Sequence, residues 1–255
     1  MNEKMVEREV LSRFLADELQ VTSFKDYCAN GLQVEGRSAI KRLVSGVTAS
    51  LALIEKAIEA DADAILVHHG YFWRGEDARI VGQKQKRLKL LLQNDISLFA
   101  YHLPLDAHPE LGNNAQLAKK LGLVSDCRFG ADKLGWIGKM QNESIRNVGE
   151  LAQLIQKQLG RAPMIVGDPK QQLGRIAWCT GAAQSMFGEA IDAGASIYLS
   201  GEISEPTVHL AREMGVAYLA CGHHATERYG VQALAARIEE NFNIQHQFID
   251  IENPV

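Results

Sequence analysis

The chain has 255 residues, 46% of them hydrophobic and 23% charged, with a formal net charge of −4. That length suits one large domain or two small ones, and the acidic balance carries no footprint of broad nucleic-acid binding. The charged N-terminus holds no apolar signal core, and no run of about 18 apolar residues suggests a membrane span. The four cysteines (Cys28, Cys127, Cys179 and Cys221) form no C-x-x-C pair, so a reduced, cytoplasmic protein is expected.

Residues 5–20 read as an amphipathic helix, with Val6, Val10, Phe14 and Leu19 near helical spacing. Residues 42–48 (RLVSGVT) read as a strand and 50–60 as a helix with Ser50 at its N-cap. The stretch AILV (64–67) is a strand, 84–93 a helix, SLFAYH (97–102) a strand and 113–121 a helix. Strands alternating with helices predict an α/β fold with largely parallel pairing.

The second half repeats this order. When Arg42-Leu43 is laid on Arg175-Ile176, AIEADADAILV (57–67) falls on AIDAGASIYLS (190–200) without a gap. Further on, ISLFAYH (96–102) resembles VAYLACGH (216–223) with one residue inserted, and QLAKKL (116–121) resembles ALAARI (233–238). Two matched units in one order predict an internal duplication. The halves are drawn at 1–125 and 126–255, with an insert at about 126–172. That insert carries a helix over 147–159, a Gly160 C-cap and a turn at 167–169.

The repeat places chemistry at strand ends, where open α/β sheets bind ligands. In the first half AILV runs into His68-His69-Gly70, and the matched strand IYLS runs into Gly201-Glu202. The next strands are followed by His102 and Asp106 in one half and by His223 and Glu227 in the other, each pair four apart. His223 and Glu227 share a face if a helix starts there. Pro104 is expected to break any regular helix through His102, leaving a turn to present that pair. Imidazole with carboxylate suits Zn, Fe, Mn or Ni. The donors His68, His69, His102, Asp106, His223, His224 and Glu227, with Glu202 as a further candidate, exceed what one closed tetrahedral site needs. A dinuclear site to which both halves contribute is the economical reading, its two ions ~3.5–4 Å apart and sharing a water whose pKa falls toward ~7.

His108, His209 and His246 lack such context and are assigned to surface or core. Tyr71, Phe72 and Trp73 read as a packed loop before a substrate stack. The stretch GLQVEGRS (31–38) imitates a phosphate-binding loop, but a strand follows it where a helix should open. No G-x-S-x-G occurs, and no cysteine sits in an activating motif.

Taken together, NGLQVEG, GVTAS, VHHGYFW, HLPLDAHPELGNN, SGE and GHHATE resemble the Nif-three-like dinuclear-metal family over nearly the whole chain. The resemblance implies a duplicated α/β architecture with a metal pair in the cleft between the halves, and a toroidal homohexamer. Carried over motif by motif, it implies ligands at His68, His69, Asp106, His223 and Glu227, with Asp106 or Glu227 as the bridge. His102 is then a neighbouring group or proton shuttle, and Glu202 orients a ligand or accepts a proton. The activity implied is hydrolytic opening of the imidazole ring of GTP with release of formate. The expected function is metal-dependent hydrolysis of a small molecule, a nucleotide among the candidates, using two divalent ions per subunit. The alternatives are non-enzymatic metal binding or delivery, a regulatory assembly, and DNA handling by a ring-shaped oligomer.

Overall fold

The computed structural model describes residues 4–130 and 133–255. Residues 1–3, at the head of the charged N-terminal stretch, and 131–132, in the 126–172 segment, lie outside the described residues. The chain divides into two compact units, Met1–Gly112 with Gly230–Glu252, and Asn113–Tyr229 with Asn253–Val255.

The first unit runs β1 (Val6–Glu7), α1 (Arg8–Glu18), β2 (Gly31–Val34), β3 (Ala39–Ile40), β4 (Arg42–Thr48), α2 (Leu51–Glu59), β5 (Ala64–His69), α3 (Gly82–Gln93), β6 (Ser97–Ala100) and α4 (Leu103–Ala107). The second runs α5 (Asn113–Leu121), β7 (Leu123–Phe129), β8 (Gly135–Met140), α6 (Val148–Leu159), β9 (Met164–Val166), β10 (Ile176–Cys179), α7 (Phe187–Asp192), β11 (Ile197–Ser200), α8 (Glu205–Met214) and β12 (Ala217–Ala220). The residues of α9 (His223–Phe242) fall in both units, and β13 (Gln245–Phe248) returns to the first. Among the described residues no helix is long and apolar enough to cross a membrane.

The fold is α/β with two mixed sheets. In the first unit the order is β13-β4-β5-β6-β2, parallel except for antiparallel β2. In the second it is β7-β8-β10-β11-β12-β9, where only β10, β11 and β12 run parallel. Parallel pairing is thus narrower than the sequence suggested.

The strands alternate between two apolar layers, as the two-residue side-chain period requires. Leu43, Ala64, Leu66 and Phe99 enter one core of the first unit, and Val44, Ile65, Val67, Leu98 and Ala100 the other. Ile176, Trp178, Ile197 and Leu199 do the same in the second unit, opposite Ala177, Cys179 and Tyr198. With both faces covered, most of these strands read as apolar runs: AILV in β5, LFA in β6, IAWC in β10 and IYL in β11.

Both units carry the same register. Leu43 pairs with Ala64 and Ala64 with Ser97; at the matched positions Ile176 pairs with Ile197 and Ile197 with Ala217. Asp63 N donates to Arg42 O at 2.9 Å, as Ser196 N does to Arg175 O at 2.9 Å. Strand β9 takes the same antiparallel edge place beside β12 that β2 takes beside β6. Part of the 126–172 stretch therefore occupies a repeated position. Its sequence hides this, because an edge strand with Met164 at 60% exposure has little packing to constrain it.

One prediction concerns β13. His246 is half-buried with Nε2 2.8 Å from Ser45 Oγ, and burial, against the opposing charge of Glu239, pushes its pKa below 6.5. The unfolded chain therefore takes up a proton there before the folded chain does. His246 contributes stability fully above pH ~6.5, lost as pH falls toward the folded value. Denaturant midpoints between pH 7.5 and 5 should decline less in His246→Gln than in the parent protein.

Candidate functional site

In the first unit the carboxyl end of β5 places His68 and His69, and the turn after β6 places His102. Their ring centroids lie 4.5 Å (His68–His69), 5.1 Å (His68–His102) and 5.8 Å (His69–His102) apart. One potential ligand atom from each lies within 4.8 Å of those of the other two. His68 is fully buried, and its Nδ1 is 2.9 Å from the Tyr101 carbonyl. A carbonyl only accepts, so the proton of the neutral ring sits on Nδ1 and the lone pair on Nε2. That Nε2 is 3.5 Å from Asp106 Oδ1. The Thr48 hydroxyl is 3.1 Å from His69 Nδ1.

Asp106 arrives on a short helix, where a turn was expected. Helix α4 begins just after His102, and Pro104 falls in its first turn. Proline is tolerated there because the N–H it lacks would have no helical acceptor. Leu105 N and Asp106 N both donate to His102 O, at 2.8 and 3.1 Å, which ties the pair together.

Asp26 is a neighbour of this cluster that sequence reasoning missed. Its Oδ1 accepts from His102 Nδ1 at 2.8 Å and from Tyr27 N at 2.6 Å; its Oδ2 accepts from Leu103 N and Asn30 Nδ2, each at 2.8 Å. Burial alone would raise its pKa, but the bonds from His102, Asn30 and Leu103 win and bring it down to about 2. Asn30 Oδ1 also accepts from His102 N at 2.7 Å. Gln33 clamps the next loop, accepting from Tyr71 N at 2.7 Å and donating to Tyr71 O at 2.9 Å. A Cβ on Gly70 would collide with Gln33 Oε1, so this clamp requires glycine after the two histidines. The signal for Asp26 was the NGLQ stretch, whose Asn30 and Gln33 organise the loops around the histidines. Cys28 stands near Asp26 and His102, its thiol pushed up to about 12 by burial and the Asp26 charge.

The aromatic loop divides. Tyr71 is buried with its hydroxyl on Ala49 O at 2.8 Å, Phe72 is 40% exposed, and Trp73 meets His102 edge-on at 5.0 Å.

In the second unit His223 opens α9, and Glu227 follows one turn later. His223 Nδ1 is 2.7 Å from Glu202 Oε1 and Nε2 is 3.0 Å from Glu227 Oε2. Burial would lower the His223 pKa, but Glu227 and Glu202 outweigh it and hold the pKa at about 9. Cation binding at Nε2 must release that proton. Glu202 follows β11, with its carbonyl accepting from Tyr218 Oη at 2.5 Å. His224 is buried, its backbone N–H on Val255 O at 3.0 Å.

Gly181, in the turn after β10, makes room for Glu227. Its φ is +69°, and a Cβ there would collide with Glu227 Oε1. Left-handed backbone costs an alanine ~1–2 kcal/mol before the clash is counted. Gly181→Ala should therefore unfold at lower denaturant by ~2 kcal/mol or more, read by urea titration of the metal-free protein.

The other three histidines stand apart with their own partners. His108 Nδ1 accepts from Leu111 N at 2.9 Å, His209 is exposed with Nε2 2.7 Å from Glu205, and His246 faces Ser45. The imitation phosphate loop forms edge strand β2 followed by β3, with no helix opening from it.

These residues sit in a chain whose residues 6–254 match the family model Duf34/NIF3 (NGG1p interacting factor 3). The chain belongs to the Duf34/NIF3 family. The resemblance drawn from its motifs therefore holds. A Pseudomonas aeruginosa relative named GTP cyclohydrolase 1 type 2 homolog is 54% identical over 245 residues, covering 92% of this chain and 94% of the relative. The solved structure of the protein ybgI, of unknown function, is similar with a TM-score of 0.93 and 46% identity, covering 98% of this chain and 100% of that one. A Thermus thermophilus structure is similar with a TM-score of 0.85 and 31% identity, covering 98% and 100%.

The donors fit a divalent cation. The buried clusters of histidine with carboxylate combine borderline-soft and hard ligands. His68 and His102 each engage a fixed acceptor through Nδ1, which turns the Nε2 lone pair toward a ligand role.

Proposed function

We propose that this Duf34/NIF3 protein is a metal-dependent hydrolase of a small molecule that uses two divalent ions per chain. The carrying observation is the presence of a histidine and carboxylate cluster in each unit. In the second unit Glu202 is spent on His223 Nδ1, so that cluster offers His223 Nε2 and Glu227, fewer than the four ligands of a zinc shell. The first unit offers His68, His69 and Asp106, with His102 beside them. The shared register of the two sheets supports an origin by duplication.

Divalent ions bound there would supply a water with its pKa lowered toward ~7. The residues of the chain would do the rest. Asp26 holds His102 with its proton on Nδ1, so Nε2 can accept a proton from a reacting group. Glu202 orients His223. Trp73 covers one edge of His102 and limits the access of bulk water. A guanine nucleotide is the first substrate to try, because relatives are named GTP cyclohydrolase 1 type 2 homologs. The family likeness also favours a ring-shaped homohexamer, testable by light scattering.

The deciding experiment reconstitutes the protein separately with Zn, Fe, Mn and Ni, counts ions per chain, and incubates it with GTP and then a metabolite extract. Two ions per chain and a depleted species that Glu227→Gln fails to consume are expected. Full metal content with no turnover, and transfer of the ion to an acceptor protein, would replace this reading with metal delivery.

A further inference from the structure

The first unit also holds a cavity of about 450 Å³ at the amino ends of β4, β5 and β6, lined by Arg37, Lys41, Arg42 and Asp63 and by the apolar side chains Ile58 and Ile96. It lies at the opposite strand ends from the histidines. β5 alone puts its six residues, about 17–20 Å, between them. The volume is in the range of small-ligand pockets, ~300–1,000 Å³.

The charges in this cavity are not all committed to the fold. Asp63 is saturated, accepting from Arg37 Nη1 at 2.9 Å, Lys41 N at 2.8 Å and Arg42 N at 2.9 Å. Arg37 is spent on that carboxylate and on the Asn94 and Asp95 carbonyls at 2.9 and 3.3 Å. Arg42 is held differently. Its Nη1 meets Asp61 Oδ2 at 3.1 Å, and the Asp61 side chain is 83% exposed. An exposed pair of this kind contributes little to stability, so an incoming anion can take the guanidinium fork. Lys41 and Arg42 also line an adjoining cavity of about 310 Å³ that adds Lys4 and Glu239. The two cavities together set Lys4, Arg37, Lys41 and Arg42 against Asp61, Asp63 and Glu239, a small cationic excess in a chain of net charge −4.

The repeat supplies an internal control. The positions matching Lys41, Asp61 and Asp63 in the second half are Gly174, Gly194 and Ser196. The same three-strand core folds there without these charges: Ser196 N and Oγ donate to Arg175 O at 2.9 and 3.1 Å, and Gln171 Nε2 donates to Ser196 O at 3.0 Å. Asp63 has a fold role in the first half, gathering Lys41 N and Arg42 N, but strand starts of this kind form in the second half with glycine where the first half carries Lys41 and Asp61.

We propose that this cavity is a second ligand site, separate from the histidine clusters, which binds a small oxyanion metabolite through Arg42 and Lys41. A planar guanidinium fork beside an ammonium suits phosphate or carboxylate oxygens, and Ile58 and Ile96 offer a small apolar wall to the rest of the molecule. The test titrates the full chain with inorganic phosphate in one arm and acetate in the other, read by isothermal calorimetry and by amide shifts of residues 37–42. Saturable binding near millimolar Kd is expected in at least one arm, and the stronger arm identifies phosphate esters or carboxylates as the class. Arg42→Gln should weaken it about tenfold or more. Arg175→Gln, the matched position in the other half, should leave it unchanged, and metal content should not move in either variant. No saturable binding in either arm, or equal weakening by Arg42→Gln and Arg175→Gln, overturns the proposal.

Discussion

Replacing His68 and His69 together by alanine is expected to abolish metal retention while leaving the sheet in place. Both side chains end β5, so the substitutions fall after the stretch whose Ala64, Ile65, Leu66 and Val67 build the two apolar cores. The loss removes two of the three imidazoles whose ligand atoms lie within 4.8 Å of one another. Removing a group that merely orients a ligand already costs ~10–100-fold in metal affinity, and removing two ligands should exceed that range. Metal per chain after dialysis, measured by plasma mass spectrometry, should fall from two to near zero. His68 is fully buried, so part of any stability loss is the cavity left behind. The metal-free forms of parent and variant must therefore be compared in urea as well. The metal-dependent part of the parent's stability, RT ln(1 + [L]/Kd), should vanish in the variant even where the metal-free midpoints are close. Full metal content in the double variant would remove the histidine clusters from consideration.

Much of this fold was legible, for a definite reason. RLVSGVT reads as a strand over 42–48, and β4 spans those residues, because its Leu43, Val44 and Val47 are buried and β-branched valine favours a packed strand. Ser50 was read as a cap, and its Oγ accepts from Leu53 N at 3.2 Å, because capping is a local matter. Elements decided by distant partners were hidden. Pro104 is expected to leave only a turn for His102 and Asp106; no helix does run through His102, but a short one starts directly after it with Pro104 in its first turn, and β9 is hard to see because it is only three residues long and holds an edge position. Among the candidate site residues, His223 and Glu227 share a helix face, as their spacing allowed. Asp26 has no such spacing signal of its own, only the NGLQ stretch close by. It lies 76 positions from His102, and only the tertiary fold brings a carboxylate and an imidazole together over that separation.

Asp26→Asn is the sharper test of how His102 works. The substitution preserves shape but removes one acceptor oxygen from a site that receives four donors. If the amide oxygen keeps Leu103 N and Asn30 Nδ2, the amide NH2 must face His102 Nδ1. Two donors cannot share that contact, so the ring has to move its proton to Nε2 and turn its lone pair to Nδ1. The histidine then presents an N–H where the parent presents an acceptor. We expect a fall of about 10²–10⁴-fold in any turnover that uses His102 as a base. Where His102 or its neighbours touch the ion, metal affinity should fall ~10–100-fold. The direct readout is nitrogen NMR of histidine-labelled, metal-free protein. The parent should show His102 as the Nδ1–H form and the variant as the Nε2–H form. Asp26→Glu, which restores the carboxylate on a longer stem, should recover the parent tautomer. An unchanged His102 signal in Asp26→Asn would show that Asp26 serves the loop alone, through Leu103 and Asn30, and would take His102 out of the proton-handling role.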